Sequence, residues 1–279
     1  MAEIGIPFPD IDPIAFSIGN FLHIRWYALA YLTGFLGGWK YALHLTNIYT
    51  HKAPSRDDID NLLPWLVLGV VLGGRLGYVV FYNLPYYLDN PLSIPLIWEG
   101  GMSFHGGFLG VMTAIFCFTK YHKFSFLRLC DIIACVAPIG LFFGRIANFI
   151  NAELYGRVTT VSWGVVFPNG GVLPRHPSQF YEALLEGFCL LLIMGVLVRN
   201  ENIRKRSGVL SGTFVLGYGI SRFIVEFFRE PDLHLGLFYD FFSRGQLLSL
   251  PMIFVGLVLI FYSWQKYEAN KNKQIISAP

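Results

Sequence analysis

The chain has 279 residues, of which 54% are apolar and 14% charged, with a mean hydropathy of +0.51 and a net charge of +3. That balance excludes an ordinary soluble enzyme, and the lack of a solvent-facing basic domain excludes a nucleic-acid binder. The 26 phenylalanines and 29 glycines fit a helical membrane protein, in which small residues let helices approach closely.

Residues 1–13 carry Glu3, Asp10 and Asp12 but no lysine or arginine. They lack the basic region of a cleavable signal peptide, so the first apolar segment is expected to be retained. Seven stretches are long enough to cross about 30 Å of hydrocarbon, which takes about 20 helical residues. They are 18–42, 62–83, 101–120, 129–149, 179–198, 208–228 and 244–264, the third irregular in its glycine-rich first turns. The predicted fold is an all-α polytopic membrane protein with seven transmembrane helices, one membrane domain over 1–279. A small outer head is expected at 150–178, where Pro168-Asn169-Gly170-Gly171, Pro174 and Pro177 give turns and Val161–Phe167 is β-prone.

Basic residues orient these spans. Alternate connections hold 13 of the 21 lysines and arginines: Lys40, Lys52 and Arg56; Lys120, Lys123 and Arg128; Arg199, Arg204, Lys205 and Arg206; Lys266, Lys271 and Lys273. The opposite side holds Arg157, Arg175, Arg229 and Arg244. The positive-inside rule then places the N-terminus outside and the C-terminus in the cytoplasm, consistent with seven crossings. Cys117, Cys130, Cys135 and Cys189 lie in or beside apolar segments without metal-ligand spacing and read as packing residues.

Ionisable side chains within the apolar segments carry the functional signal, because each costs about 2.5–3.5 kcal/mol at mid-bilayer on insertion scales. Arg145 and Asn148 share a helix face in Gly144-Arg145-Ile146-Ala147-Asn148, and Glu153 follows near the outer exit. Arg222 and Glu226 are four apart, as are Glu182 and Glu186. His105 sits among glycines whose backbone can approach a ligand and offer N–H donors to an anion. Plainer readings stand beside these. Arg222–Glu226 is equally a structural ion pair, Arg145 a snorkelling side chain, and Trp26-Tyr27 an aromatic-belt anchor. Glu182 is equally a cap or structural partner, Arg75 is ambiguous, and Gly140 and Gly144 read as helix-packing positions.

Taken together, these residues resemble the prolipoprotein diacylglyceryl transferases of bacterial inner membranes. The resemblance rests on the run from Gly144 to Gly156, Trp26-Tyr27, Gly73-Gly74-Arg75 and Gly101-Met102-Ser103-Phe104-His105-Gly106-Gly107. It extends to Leu173-Pro174-Arg175-His176-Pro177-Ser178-Gln179 and Arg222–Glu226-Phe227-Phe228-Arg229. It covers nearly the whole chain, although the stretch between Gly156 and Leu173 is short beside some members.

The resemblance implies transfer of a diacylglyceryl group from phosphatidylglycerol to the lipobox cysteine of a preprolipoprotein signal peptide. A thioether forms and glycerol phosphate leaves, with no cofactor and no metal. Arg145 and Arg222 would hold the headgroup phosphate, Tyr27, Asn148 and Gly156 would complete its recognition, and Glu153 and Glu226 would orient the arginines. His105 would accept the thiol proton or position the glycerol, and His176 is a further candidate for substrate binding. Two other classes remain at this stage: another phospholipid-headgroup enzyme with a different acceptor, and a seven-helix transporter or receptor.

Overall fold

The computed structural model describes residues 5–9, 11–19, 22–49, 54–230, 237–238 and 242–276. Glu3, Asp10 and Lys52, used in the sequence reading, lie outside the described residues, as do residues 20 and 21 of the first expected span. The chain divides into two compact units, one formed by Met1–Ala42 with Asp131–Pro279 and the other by Leu43–Cys130.

In chain order the elements are strands β1 (Ile6–Pro7), β2 (Ile14–Ile18) and β3 (Leu22–Arg25), followed by helices α1 (Trp26–Thr46), α2 (Arg56–Tyr82), α3 (Leu84–Asp89), α4 (Phe104–His122) and α5 (Phe126–Ile150). Strand β4 (Val165–Val166) precedes α6 (Ser178–Glu182), a π-helical stretch (Ala183–Cys189) and α7 (Leu190–Leu197), which run on as one helix. Helices α8 (Glu201–Arg204) and α9 (Val209–Val225), strands β5 (Leu237–Phe238) and β6 (Phe242–Ser243), and helix α10 (Arg244–Ile276) complete the chain.

A helix occupies each of the seven expected apolar stretches, with two boundary corrections. The first helix starts at Trp26 and not at 18, because β2 and β3, whose apolar residues alternate, pair as an antiparallel hairpin. The last helix continues to Ile276, since its polar end, Gln265 to Lys273, is rich in good helix formers. Among the described residues, four helices are long and apolar enough to cross a membrane: Arg56–Tyr82, Phe126–Ile150, Ser178–Leu197 and Gly245–Lys273. Val209–Val225 is apolar but shorter.

Within Leu43–Cys130, α2 begins in a capping box. Ser55 Oγ accepts from Asp58 N at 3.1 Å and Asp58 Oδ2 accepts from Ser55 N at 2.8 Å. Gly69, Gly73 and Gly77, four residues apart, lie against Gly106 and Gly110 of α4 so closely that side chains at these positions would overlap the facing backbone. This corrects the reading of the glycine next to His105: Gly106 serves helix packing against Gly73 and Gly77. Arg75, ambiguous in the sequence, is 3% exposed and donates to backbone carbonyls of Ser93 (2.7 Å), Ile94 (2.7 Å), Gly100 and Gly101 (3.3 Å). It fastens the loop that leads into α4.

Within the other unit, α9 and α10 pack through Gly212 and Gly256, where a Cβ would meet opposing backbone at 2.9 Å and 2.6 Å respectively. Asp131, 1% exposed on α5, caps the start of α9 from outside that helix. It accepts from Gly208 N (2.7 Å), Ser211 N (2.8 Å) and Ser211 Oγ (2.7 Å). The segment after α5 folds around Phe149, Ala152, Val165 and Phe167, with Phe8 and Tyr155 packed against them. Strand β4 pairs in parallel with β1. Arg175 ties this segment together, donating to Gly170 O at 2.7 Å and Gly156 O at 3.2 Å and pairing with Glu230 at 3.1 Å.

Candidate active site

Three helix ends supply the charged residues of the site. Arg145 lies five residues before Ile150, the last residue of α5, Glu182 lies at the start of the Ser178–Leu197 helix, and Arg222 lies in the last turn of α9. Chain direction therefore puts all three at the end where residues 151–177 leave and re-enter the helices. The π-helical stretch and Gly187 bring the helices together, since a Cβ at Gly187 would meet the Phe142 backbone of α5 at 2.7 Å. Close approach at that point carries Glu182 and Glu186, one turn apart, to Arg145.

The result is a cluster of three guanidiniums and three carboxylates. Arg145 Nε lies 2.9 Å from Glu182 Oε2, an ionic contact off the line of a hydrogen bond, while Arg145 Nη2 donates to Glu186 Oε2 at 3.2 Å. Arg222 Nη1 donates to Glu182 Oε1 at 2.8 Å and its Nη2 pairs with Glu226. Arg229 Nη1 donates to the same Glu182 oxygen at 2.9 Å. The Glu182 and Glu186 side chains are 0% exposed, against 17% and 18% for Arg145 and Arg222. Carboxylates thus form the floor of the cluster and guanidiniums its accessible face.

Glu226 is held from the other side. Ser243 Oγ donates to its Oε2 at 2.6 Å, and Ser243 with Gln246 forms a capping box at the start of α10. Gly245 lies directly against the Glu226 carboxylate, which a side chain there would displace.

The sequence-predicted residues divide between this cluster and its surroundings. Arg145, Arg222 and Glu226 come together. Asn148 and Glu153 bond to each other, Nδ2 to Oε1 at 2.8 Å, so neither is the partner expected for Arg145. Its carboxylates are Glu182 and Glu186, four residues apart on the Ser178–Leu197 helix, while Glu153 stands beyond the end of α5. Tyr27 faces the Asn148–Glu153 pair and bonds the Tyr31 hydroxyl at 3.2 Å. Glu153 stands between Ala152 and Leu154, both left-handed (φ 52° and 58°), a conformation that non-glycine residues adopt at a cost. Gln179 Nε2 to Glu153 O (2.7 Å) and Ser178 Oγ to Leu154 O (3.1 Å) hold that turn.

Gly156 has a packing reason for being glycine. Its N–H donates to His176 O at 2.8 Å, and a Cβ would meet His176 at 2.7 Å. His176 is half-buried and Nδ1 lies 3.1 Å from the Tyr181 hydroxyl, which accepts from Trp163 Nε1 at 2.7 Å. Indole only donates, so this chain leaves the tyrosine proton for His176 Nδ1. Burial holds the His176 imidazole below its ordinary pKa. His105 belongs to the other unit, in the first turn of α4, exposed, behind the Ser103 cap whose Oγ accepts from Gly106 N at 3.2 Å.

Sequence reasoning left Glu182, Glu186 and Arg229 out of the site. The signal for the two glutamates was present as an i, i+4 pair in an apolar segment. Arg229 gave none beyond its place after Glu226, because only the tertiary fold turns it back onto Glu182.

These features define a helical membrane protein with an arginine–carboxylate cluster at one end of its apolar helices. Residues 13–262 match the family Prolipoprotein diacylglyceryl transferase, and the chain belongs to that family. It is 55% identical over 259 residues to the phosphatidylglycerol–prolipoprotein diacylglyceryl transferase of Azospirillum brasilense, covering 92% of this chain and 96% of that one. The similarly named proteins of Rhodospirillum rubrum (53% identical, 91% and 93% covered) and Paramagnetospirillum magneticum (52% identical, 94% and 97% covered) are also similar to it.

Proposed function

We propose that this protein transfers the diacylglyceryl group of phosphatidylglycerol to the lipobox cysteine of preprolipoproteins, the first step of lipoprotein maturation. The observation that carries the reading is the cluster of part-buried arginines on buried carboxylates in a chain of this family. The cysteine thiol must first become a thiolate. It then attacks a glycerol carbon, a C–S bond forms, the C–O bond to phosphate breaks, and its electron pair moves onto the departing glycerol phosphate.

Arginine suits that leaving group because its planar fork engages two phosphate oxygens and stays charged. Arg145 and Arg222 are the residues we assign to the phosphate, with Tyr27, Asn148, Glu153 and Gly156 shaping the headgroup site. Glu226 orients Arg222, the pair supported by the Ser243 bond. His105 takes the thiol proton or positions the glycerol, and His176 contacts substrate from the outer segment. The chain crosses the bacterial inner membrane seven times, N-terminus outside and C-terminus cytoplasmic, with 150–178 as an outer head.

Purified protein in nanodiscs, given glycerol-labelled phosphatidylglycerol and a lipobox peptide, tests this. Label arriving on cysteine and lost in Arg145→Ala supports the transferase. Label released to water or to a sugar would instead identify another phospholipid-headgroup enzyme.

A further inference from the structure

The charge count of the cluster has a consequence for ligand binding. Arg145, Arg222 and Arg229 face Glu182, Glu186 and Glu226, so with every group ionised the cluster is neutral. A phosphodiester headgroup brings one negative charge into it. An unbalanced charge in a site with little water is costly, and protonating one carboxylate is the smallest change that removes the imbalance.

The three carboxylates are not equivalent candidates. Glu182 is contacted by all three guanidiniums at 2.8–2.9 Å, and Glu226 is held by Arg222 and the Ser243 hydroxyl. Glu186 has one hydrogen bond, from Arg145 Nη2 at 3.2 Å; Arg222 Nη1 stands off at 3.8 Å, and its buried Oε1 has no hydrogen-bond partner. The groups facing it are Arg145 on α5, Arg222 and Tyr218 on α9, and Glu182 one turn earlier on its own helix. Its ionised form therefore has the least to lose, and a proton on Oε1 would turn an unsatisfied acceptor into a donor beside the ligand. Its place in a π-helical stretch, a feature that recurs at functional sites, sets it apart from ordinary packing.

We propose that Glu186 takes up a proton from the medium when an anionic phosphodiester headgroup binds at Arg145 and Arg222, keeping the cluster neutral. This rests on the headgroup assignment above.

The test uses glycerophosphoglycerol, the deacylated headgroup, which remains a monoanion across the neutral range and so adds no titration of its own. Calorimetry on the full chain, in buffers of different ionisation enthalpy, reads the protons taken up per molecule bound. The wild type is expected to take up close to one proton, and its affinity to weaken by up to about tenfold per pH unit on the alkaline side. Glu186→Gln, which resembles the protonated acid, is expected to bind without that uptake and with a flat pH dependence.

Infrared difference spectra give a second readout in wild type alone: a carboxylic-acid C=O band should appear on binding. Binding without proton uptake or the acid band overturns the proposal but leaves the headgroup site standing. Equal uptake in Glu186→Gln overturns the assignment to this residue. No binding by wild type overturns both the headgroup assignment and the proton uptake built on it.

Discussion

Replacing Glu182 by glutamine tests whether the arginines work as a positioned set. One Glu182 oxygen accepts from Arg222 Nη1 at 2.8 Å and Arg229 Nη1 at 2.9 Å, and the other lies 2.9 Å from Arg145 Nε. Glutamine keeps one oxygen but turns an NH2 group toward at least one guanidinium, so donor faces donor. Hydrogen bonds to charged groups contribute about 1.5–3 kcal/mol each, and losing one well-aimed donor to developing charge costs about 10²–10³ in kcat. The carboxylate is 0% exposed and its main partners are less than one-fifth exposed, so solvent screening does little to reduce this.

We expect kcat to fall about 100-fold. Because the substitution also leaves the cluster one unit more positive, KM for the anionic lipid should stay level or fall. The assay is initial-rate peptide lipidation in nanodiscs, with the mole fraction of phosphatidylglycerol varied. A kcat within threefold of wild type, or a raised KM with unchanged kcat, would refute the positioning argument.

Three further outcomes follow from named contacts. Gly110→Ala would place a methyl group inside the Gly69 backbone and should cost about 1–3 kcal/mol. Gly144→Ala, where a Cβ meets nothing within 4 Å, should leave the thermal midpoint level or raised, so equal effects in a detergent melt would contradict the packing assignment. Asp131→Ala strands two N–H groups at the start of α9 and should lower stability by about 2 kcal/mol or more, read by mixed-micelle SDS titration, with no loss denying the cap. For His176, burial holds the folded pKa below the ordinary 6.5, so unfolded chains bind more protons in that window. Stability should be full above 6.5 and decline as pH falls through the folded value, and His176→Gln should flatten that decline; parallel melting profiles would exclude it.

Much of the architecture was legible in the sequence because apolar run length acts locally along the chain. Seven apolar stretches marked seven helices, and the cost of an arginine among apolar residues singled out Arg145 and Arg222, which the structure brings into one cluster around Glu182. Asn148 and Glu153 share one short segment and were found together, although their bond to each other was not. Pairing across elements had no local signature. Glu182 and Glu186 reach Arg145 through a π-helical stretch and the close approach at Gly187, while Arg229 returns to Glu182 only after the chain turns beyond α9. The hairpin at 14–25 was likewise invisible as a boundary, because its apolar alternation merges with the helix that follows. The sequence by itself determined a membrane protein with arginines set within its apolar helices, since composition and insertion cost are properties of single segments. Only the tertiary structure decided which carboxylates hold those arginines, because ion pairing depends on distances between helices remote in sequence.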